Sequence, residues 1–248
     1  MSGNRGNYFV SVTHTGMKKN RIKSFIITLI LVFSTCLLKG QQLGMSFSFF
    51  FPRNGSFSNP VSPFSFRGIG LNPSRYFSLE TGFTVYRMSG MNVTGLDFET
   101  NKPLMGPFFS LFVPGQAVLK LPLDKLVFSL KGGGFAFYNF DNRIIYGNLD
   151  RAIREYHGWE VANADFDFDN RIGLGLIFGA ELIVYVTKQF GLNFEANYLA
   201  GGSPVHFRGN YTGGNSASGI QSIQADYAES MLDFTGFEIT MGILFSSK

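Results

Sequence analysis

The stretch Phe237-Glu238-Ile239-Thr240-Met241-Gly242-Ile243-Leu244-Phe245 decides how this chain is read. Side chains of a β-strand alternate between two faces. Phe237, Ile239, Met241, Ile243 and Phe245 therefore share one face, and Glu238, Thr240, Gly242 and Leu244 share the other. The first face is wholly apolar. The second is mostly small or polar. Such a strand belongs at a boundary between two media.

The same alternation recurs upstream, and eight strands are predicted: Leu43–Phe51, Arg75–Arg87, Met91–Thr100, Phe108–Leu121, Leu126–Tyr138, Arg171–Val186, Phe190–Leu199 and Glu229–Phe245. The third alternates poorly. The sixth is the clearest, with Ile172, Leu174, Leu176, Phe178, Ala180, Leu182, Val184 and Val186 opposite Gly173, Gly175, Gly179 and Glu181. Most are long enough to cross a hydrocarbon layer at a tilt, which takes about 9–11 residues. Pro122–Lys125 and Thr187–Gln189 read as tight turns, whereas 52–74, 139–170 and 201–228 read as long loops. Short turns alternating with long loops are the signature of a membrane barrel with one end inside the cell envelope and the other outside. The expected fold is all-β: an eight-stranded antiparallel transmembrane β-barrel with three large outward loops. A secreted soluble barrel or sandwich is the alternative. Arg151 to Tyr156 is expected to form a short helix in the longest loop, followed by Trp159.

The first forty residues are of another kind. Lys18, Lys19, Arg21 and Lys23 precede an uncharged, mostly apolar run from Ser24 to Leu38, and Gly40-Gln41 offers a small-residue cleavage point. This is the layout of a secretory signal peptide, and the run is short for a spanning helix. Residues 1–40 are therefore assigned as a cleaved leader, with Met17 a candidate start, and 41–248 as the barrel domain. An uncleaved helical anchor is the alternative. Cys36 falls inside the leader, so disulfide and thiol chemistry are not expected in 41–248. Six of the 21 Lys and Arg residues also fall in 1–40, where no acidic residue stands. Residues 41–248 thus carry 15 basic against 17 acidic residues, a net charge of −2. No electrostatic case for nucleic acid remains.

The leader Lys18-Lys19…Leu38-Lys39-Gly40, the hairpin Lys120-Leu121-Pro122-Leu123-Asp124-Lys125-Leu126-Val127-Phe128 and the terminal Gly236-Phe237…Gly242-Ile243-Leu244-Phe245 resemble those of the outer-membrane β-barrel domain proteins common in the Bacteroidota, small barrels of the PorT, OmpA and OmpX type. The resemblance implies an outer-membrane location in a Gram-negative bacterium. It implies contact with outer-membrane lipid and lipopolysaccharide, and a terminal aromatic strand read by the barrel assembly machinery. It brings no catalytic motif.

Seven charges are expected on inward faces: Glu80, Lys120, Lys131, Arg171, Glu181, Glu195 and Glu238. Unpaired charge is costly in a low-dielectric lumen, so these are expected to pair across the barrel, with a proton or ion path as the alternative. Asp165, Asp167 and Asp169 share one face of an extended segment and form a candidate cation site, against a solvated strand extension. Asn170 and Leu176 stand where an EF-hand needs Gly and Glu. Ser203 and His206 are the candidate catalytic pair of an outer-leaflet hydrolase, against an ordinary loop histidine. No cofactor is expected. Lys131-Gly132-Gly133-Gly134 lacks P-loop spacing and reads as glycines easing strand curvature. The expected function is a non-enzymatic structural or surface-binding one, with an unidentified extracellular ligand or protein meeting the long loops. A lipid or peptide hydrolase, or an accessory part of a secretion or assembly machine, are the alternatives.

Overall fold

The computed structural model describes residues 42–55, 62–217 and 219–246. The expected leader, 1–40, lies outside them. In chain order the elements are β1 (Gln42–Pro52), β2 (Ser62–Leu71), β3 (Phe77–Met88), β4 (Val93–Thr94), β5 (Phe108–Leu123), β6 (Leu126–Phe140), α1 (Tyr146–His157), β7 (Val161–Phe168), β8 (Gly173–Tyr185), β9 (Phe190–Pro204), β10 (Phe207–Asn215), β11 (Gly219–Tyr227), β12 (Met231–Asp233) and β13 (Gly236–Ser246).

Eight of these strands close on themselves. The antiparallel order runs β13-β1-β2-β3-β5-β6-β8-β9 and returns to β13. The seam pairs Gln42 with Ser246 through to Pro52 with Gly236. The faces divide as the alternation predicts. Phe237, Ile239, Met241 and Phe245 are exposed on the outside, while Glu238, Thr240 and Leu244 are buried within.

The strand count of eight holds, but one strand moves. The predicted third strand, Met91–Thr100, shrinks to the two residues of β4, which pair only with β12. The missing barrel strand is β2, inside the expected loop 52–74. Its alternation is broken by a register shift between Phe66 and Ile69, where Gly68 takes φ of 80°. This is a β-bulge, which puts an extra residue into a strand and disturbs a period-two reading. Relocating the strand corrects the number of long connections from three to four: 53–61, 89–107, 141–172 and 205–235. All four leave one end of the barrel. The opposite end has short turns held by side chains. Ser74 Oγ accepts from the backbone N–H of Tyr76 at 3.2 Å and of Phe77 at 3.1 Å. Thr187 Oγ1 accepts from those of Gln189 at 3.3 Å and Phe190 at 3.0 Å. Asp124 supplies the left-handed residue of the two-residue turn between β5 and β6.

The long connections also fold. β7, β10 and β11 form a separate three-stranded sheet, β11-β10-β7. The expected short helix is α1, longer than Arg151 to Tyr156 at both ends. It buries Leu149, Ala152 and Ile153 and ends on Gly158 in the left-handed region, the usual helix stop. Asp150 Oδ1 accepts from Ala164 N at 2.8 Å and the Tyr146 hydroxyl donates to Phe166 O at 3.1 Å, so α1 covers the free edge of β7. Together these elements cap the barrel.

Inside the barrel, the half nearest the cap is filled with rings. Phe137 and Phe234 lie 4.3 Å apart by centroid, Phe50 and Phe234 4.7 Å, and Phe112 and Phe135 4.8 Å. The inward glycines of β8 make room for them. A Cβ on Gly175 would come within 2.3 Å of the Phe135 ring, and one on Gly173 within 2.2 Å of Phe137. Gly175→Ala is therefore expected to overpack the lumen, at a cost of about 1–3 kcal/mol. The check is a lower temperature at which the folded gel band converts to the unfolded one.

Candidate functional site

Beneath the ring layer, toward the short turns, lies a charged layer. Its centre is Arg67, on β2 beside the bulge and only 4% exposed. Its Nη2 donates to Glu238 Oε1 at 2.6 Å and to Thr84 Oγ1 at 3.2 Å. Its Nη1 donates to Glu195 Oε1 at 3.5 Å, and its Nε to Ser65 Oγ at 3.2 Å. The Tyr86 hydroxyl donates to Glu238 Oε1, and Asn197 Nδ2 reaches Glu238 Oε2 at 2.6 Å and Glu195 Oε1 at 2.8 Å. Lys131 Nζ then joins Glu195 at 3.1 Å, Glu181 at 3.0 Å and Glu80 at 3.8 Å. Lys120 Nζ closes the chain on Glu80 at 2.8 Å and Asn72 Oδ1 at 3.1 Å.

Six of the seven inward charges named from sequence thus meet in one network. Arg171 does not, and its placement is corrected. It stands beyond the start of β8 with its side chain 59% exposed, 3.4 Å from Asp169. Arg67, which takes the central place, is hidden in the sequence because its segment reads as loop. The signal that could expose it is the short alternation Phe64-Ser65-Phe66-Arg67 ahead of the bulge. Arg67→Met leaves Glu238 without its cation and Glu195 with Lys131 alone, and breaking a buried pair in this way typically costs about 3–5 kcal/mol. The double change Arg67→Met with Glu238→Gln is expected to recover part of that loss, read as the midpoint of thermal unfolding in detergent.

The other named residues lie in or near the cap. Asp165 and Asp167 face outward from β7, registered against Asn210 and Arg208 of β10. The Asp169 carboxylate is engaged by Arg171 at 3.4 Å, Arg208 at 3.6 Å and His206 Nδ1 at 3.6 Å. Residues two apart on one strand are more than about 6 Å apart along it, so the three carboxylates do not converge on a point. Among the described residues no group of three or more His, Cys, Asp or Glu is arranged to hold a metal ion. Ser203 is buried in β9, and its hydroxyl donates to Arg171 O at 2.6 Å. His206 Nε2 meets Asp226 Oδ1 at 2.6 Å. The structure therefore engages both with other partners.

The remaining concentration of unusual chemistry is aromatic. Trp159 stacks on His157 at 4.3 Å and 16°, and His157 Nε2 is 2.9 Å from the Tyr211 hydroxyl. A Cβ on Gly213 would lie 2.3 Å from the Trp159 ring, so only glycine lets the indole seat there. Burial and the neighbouring Asp97 carboxylate push Tyr227 well above the ordinary tyrosine range. Tyr211 is raised by burial and by Tyr156 and Asp97.

No protein-family model matches this chain, and no curated protein does. Solved structures do show likeness. The outer membrane protein OprG from Pseudomonas aeruginosa aligns over 84% of this chain and 95% of its own, with a TM-score of 0.44 and 11% identity. The attachment invasion locus protein Ail of Yersinia pestis aligns over 84% and 97%, with a TM-score of 0.41 and 10% identity. A major outer membrane protein from Thermus thermophilus aligns over 84% and 100%, with a TM-score of 0.40 and 9% identity. The functional reading rests on the geometry of this chain itself.

Proposed function

We propose that this chain is an outer-membrane β-barrel protein of a Gram-negative bacterium, with a non-enzymatic surface-binding role carried by its cap. The observation behind the membrane reading is the outer surface of the barrel. Phe47, Leu79, Leu119, Leu176, Phe178 and Phe194 are exposed on it, with many like them. An apolar belt of this extent is unstable in water and at home in lipid. Aromatic pairs flank it at both ends: Tyr198–Phe237 and Phe109–Phe140 near the cap, Phe190–Phe245 near the turns. Such girdles mark the two membrane interfaces. Lipopolysaccharide and outer-leaflet lipid are the proposed neighbours of the belt, and the barrel assembly machinery its route of insertion.

The filled lumen supports a role other than solute passage. Rings occupy its upper half and the Arg67–Lys131–Lys120 network its lower half, as in eight-stranded barrels generally. What remains accessible is the cap. The protein should fractionate with outer membranes and show heat-modifiable gel migration. It should give no steady conductance in planar bilayers. A soluble chain in the periplasm or medium removes the membrane reading, and open-channel current removes the closed-lumen reading.

A hydrolase reading competes through Ser203 and His206. Ser203→Ala and His206→Ala are each expected to leave outer-membrane lipid composition unchanged. A change in lipid species with either variant would replace the binding role by an enzymatic one.

A further inference from the structure

We infer that the free edge of β11 receives an extended segment of another protein, alternating basic and apolar residues, as a fourth strand of the cap sheet. This rests on the surface-binding reading above and gives it a partner class. The sheet β11-β10-β7 is built out from the barrel wall. β10 follows β9 after two residues, and β7 leads into β8 after four. Their pairing runs on from Leu174 with Gly202 in the barrel to Phe168 with Phe207 in the cap. The sheet therefore stands on the outer side of the membrane, where another protein can reach it.

The two edges of this sheet differ. The β7 edge is covered by α1, through Asp150 Oδ1 on Ala164 N and the Tyr146 hydroxyl on Phe166 O. The β11 edge is left open. Among the described residues β11 pairs only with β10, in unbroken register from Phe207 with Tyr227 to Asn215 with Gly219. A strand at a sheet edge presents a row of unpaired backbone N–H and C=O groups. Proteins that do not use such an edge blunt it with Lys, Pro, a bulge or a very short strand. β11 has nine residues, Gly219–Tyr227, and none of these devices. Ile220, Gln221, Ser222 and Gln224 are exposed along it. Addition of a strand from a partner is the recognition mode that such an edge serves.

The surroundings of the edge set the chemistry of the added strand. Ile223, Ala225 and Tyr227 share the face of β11 turned to the cap core, and Ala164, Tyr211 and Ile223 form one registered row across the sheet. Alternate side chains of an added strand extend this row, which calls for apolar residues at every second position. The end of the edge nearest Tyr227 is acidic. Gly95 packs on the backbone of Glu229, where a Cβ would lie 2.9 Å from Glu229 O, and the Phe98 ring meets that of Tyr227 at 6.2 Å and 89°. These contacts bring the segment 94–101 to the end of β11. Segments 94–101 and 219–230 hold Asp97, Glu99, Asp226 and Glu229, all exposed, and no Lys, Arg or His. Asp226 is engaged by His206. Among the described residues, no salt bridge engages Asp97, Glu99 or Glu229. Charge complementarity therefore selects a basic strand. It opposes a second copy of this chain, whose edge carries the same acids.

The test uses the purified full chain in a non-ionic detergent and three fluorescent nonapeptides: alternating Lys and Val, alternating Glu and Val, and the Lys–Val peptide N-methylated throughout. N-methylation removes the backbone donors and keeps the charge. Saturable binding, read as fluorescence anisotropy, is expected for the first peptide alone. Hydrogen exchange of the amides in 220–226 is expected to slow when it binds. Glu99→Gln combined with Glu229→Gln, both at exposed positions, is expected to weaken its affinity about tenfold. The inference is overturned if the Lys–Val peptide does not bind, or if either control peptide binds as well as it does. It is equally overturned if exchange in 220–226 is unchanged in the bound state, or if the double variant binds as the parent does. Slowed exchange there that grows with protein concentration in the absence of peptide assigns the edge to a second copy instead. Heat-modifiable migration of the same samples reports the barrel separately. A folded barrel whose β11 takes no strand removes this inference and leaves the membrane and surface-binding readings standing.

Discussion

Everything in this molecule follows from the closure of β1 on β13. Eleven registered pairs join the first and last strands and leave the barrel without an edge. Closure at eight strands also makes the interior too narrow for bulk water, so inward residues must satisfy one another. Arg67 is where that demand is met most fully. Three of its nitrogens serve Glu238, Glu195, Thr84 and Ser65, on three strands other than its own and on β2 itself. From there the ion pairs pass through Lys131 to Lys120, tying together β2, β3, β5, β6, β8, β9 and β13.

The lumen is layered by the same logic. Charges lie toward the short turns and rings toward the long connections. The rings need the missing side chains of Gly173 and Gly175, so small residues on one strand and large ones on its neighbour are parts of one packing solution. A filled lumen moves any encounter with ligands to the cap. There the long connections build their own secondary structure, with α1 sealing the edge of β7 and a three-stranded sheet presenting a polar outer face.

The parts legible in the sequence are those whose period survives locally. β8 and β13 carry unbroken alternation, and their faces divide accordingly. The turn at Asp124 and the tight connection at Thr187–Gln189 carry turn chemistry within four residues. β2 is illegible because Pro63, Gly68 and Gly70 lie within it and a bulge shifts its phase. The segment 91–100 suggests a strand by its position alone, and the structure uses it as an outer connection, with Val93 and Thr94 paired to β12 and Met91 in isolated bridges to Gly55 and Met105. Extending the β8 alternation two residues past the strand puts Arg171 inward, where the pleat no longer holds. Ser203 and His206 are three residues apart in sequence, and that proximity carries no information about hydrogen bonding.

By itself, the sequence determined which side chains face apolar surroundings and which face inward, because strand alternation is a local property of the backbone. It also determined that inward charges exist and must pair, because burial makes an isolated charge costly. Only the tertiary structure decided who pairs with whom, since Arg67 and Glu238 are 171 residues apart and meet through barrel closure. Only it decided that Phe98, α1, Phe166, Tyr211 and Tyr227 pack into one core, because loop packing depends on contacts that no local period records.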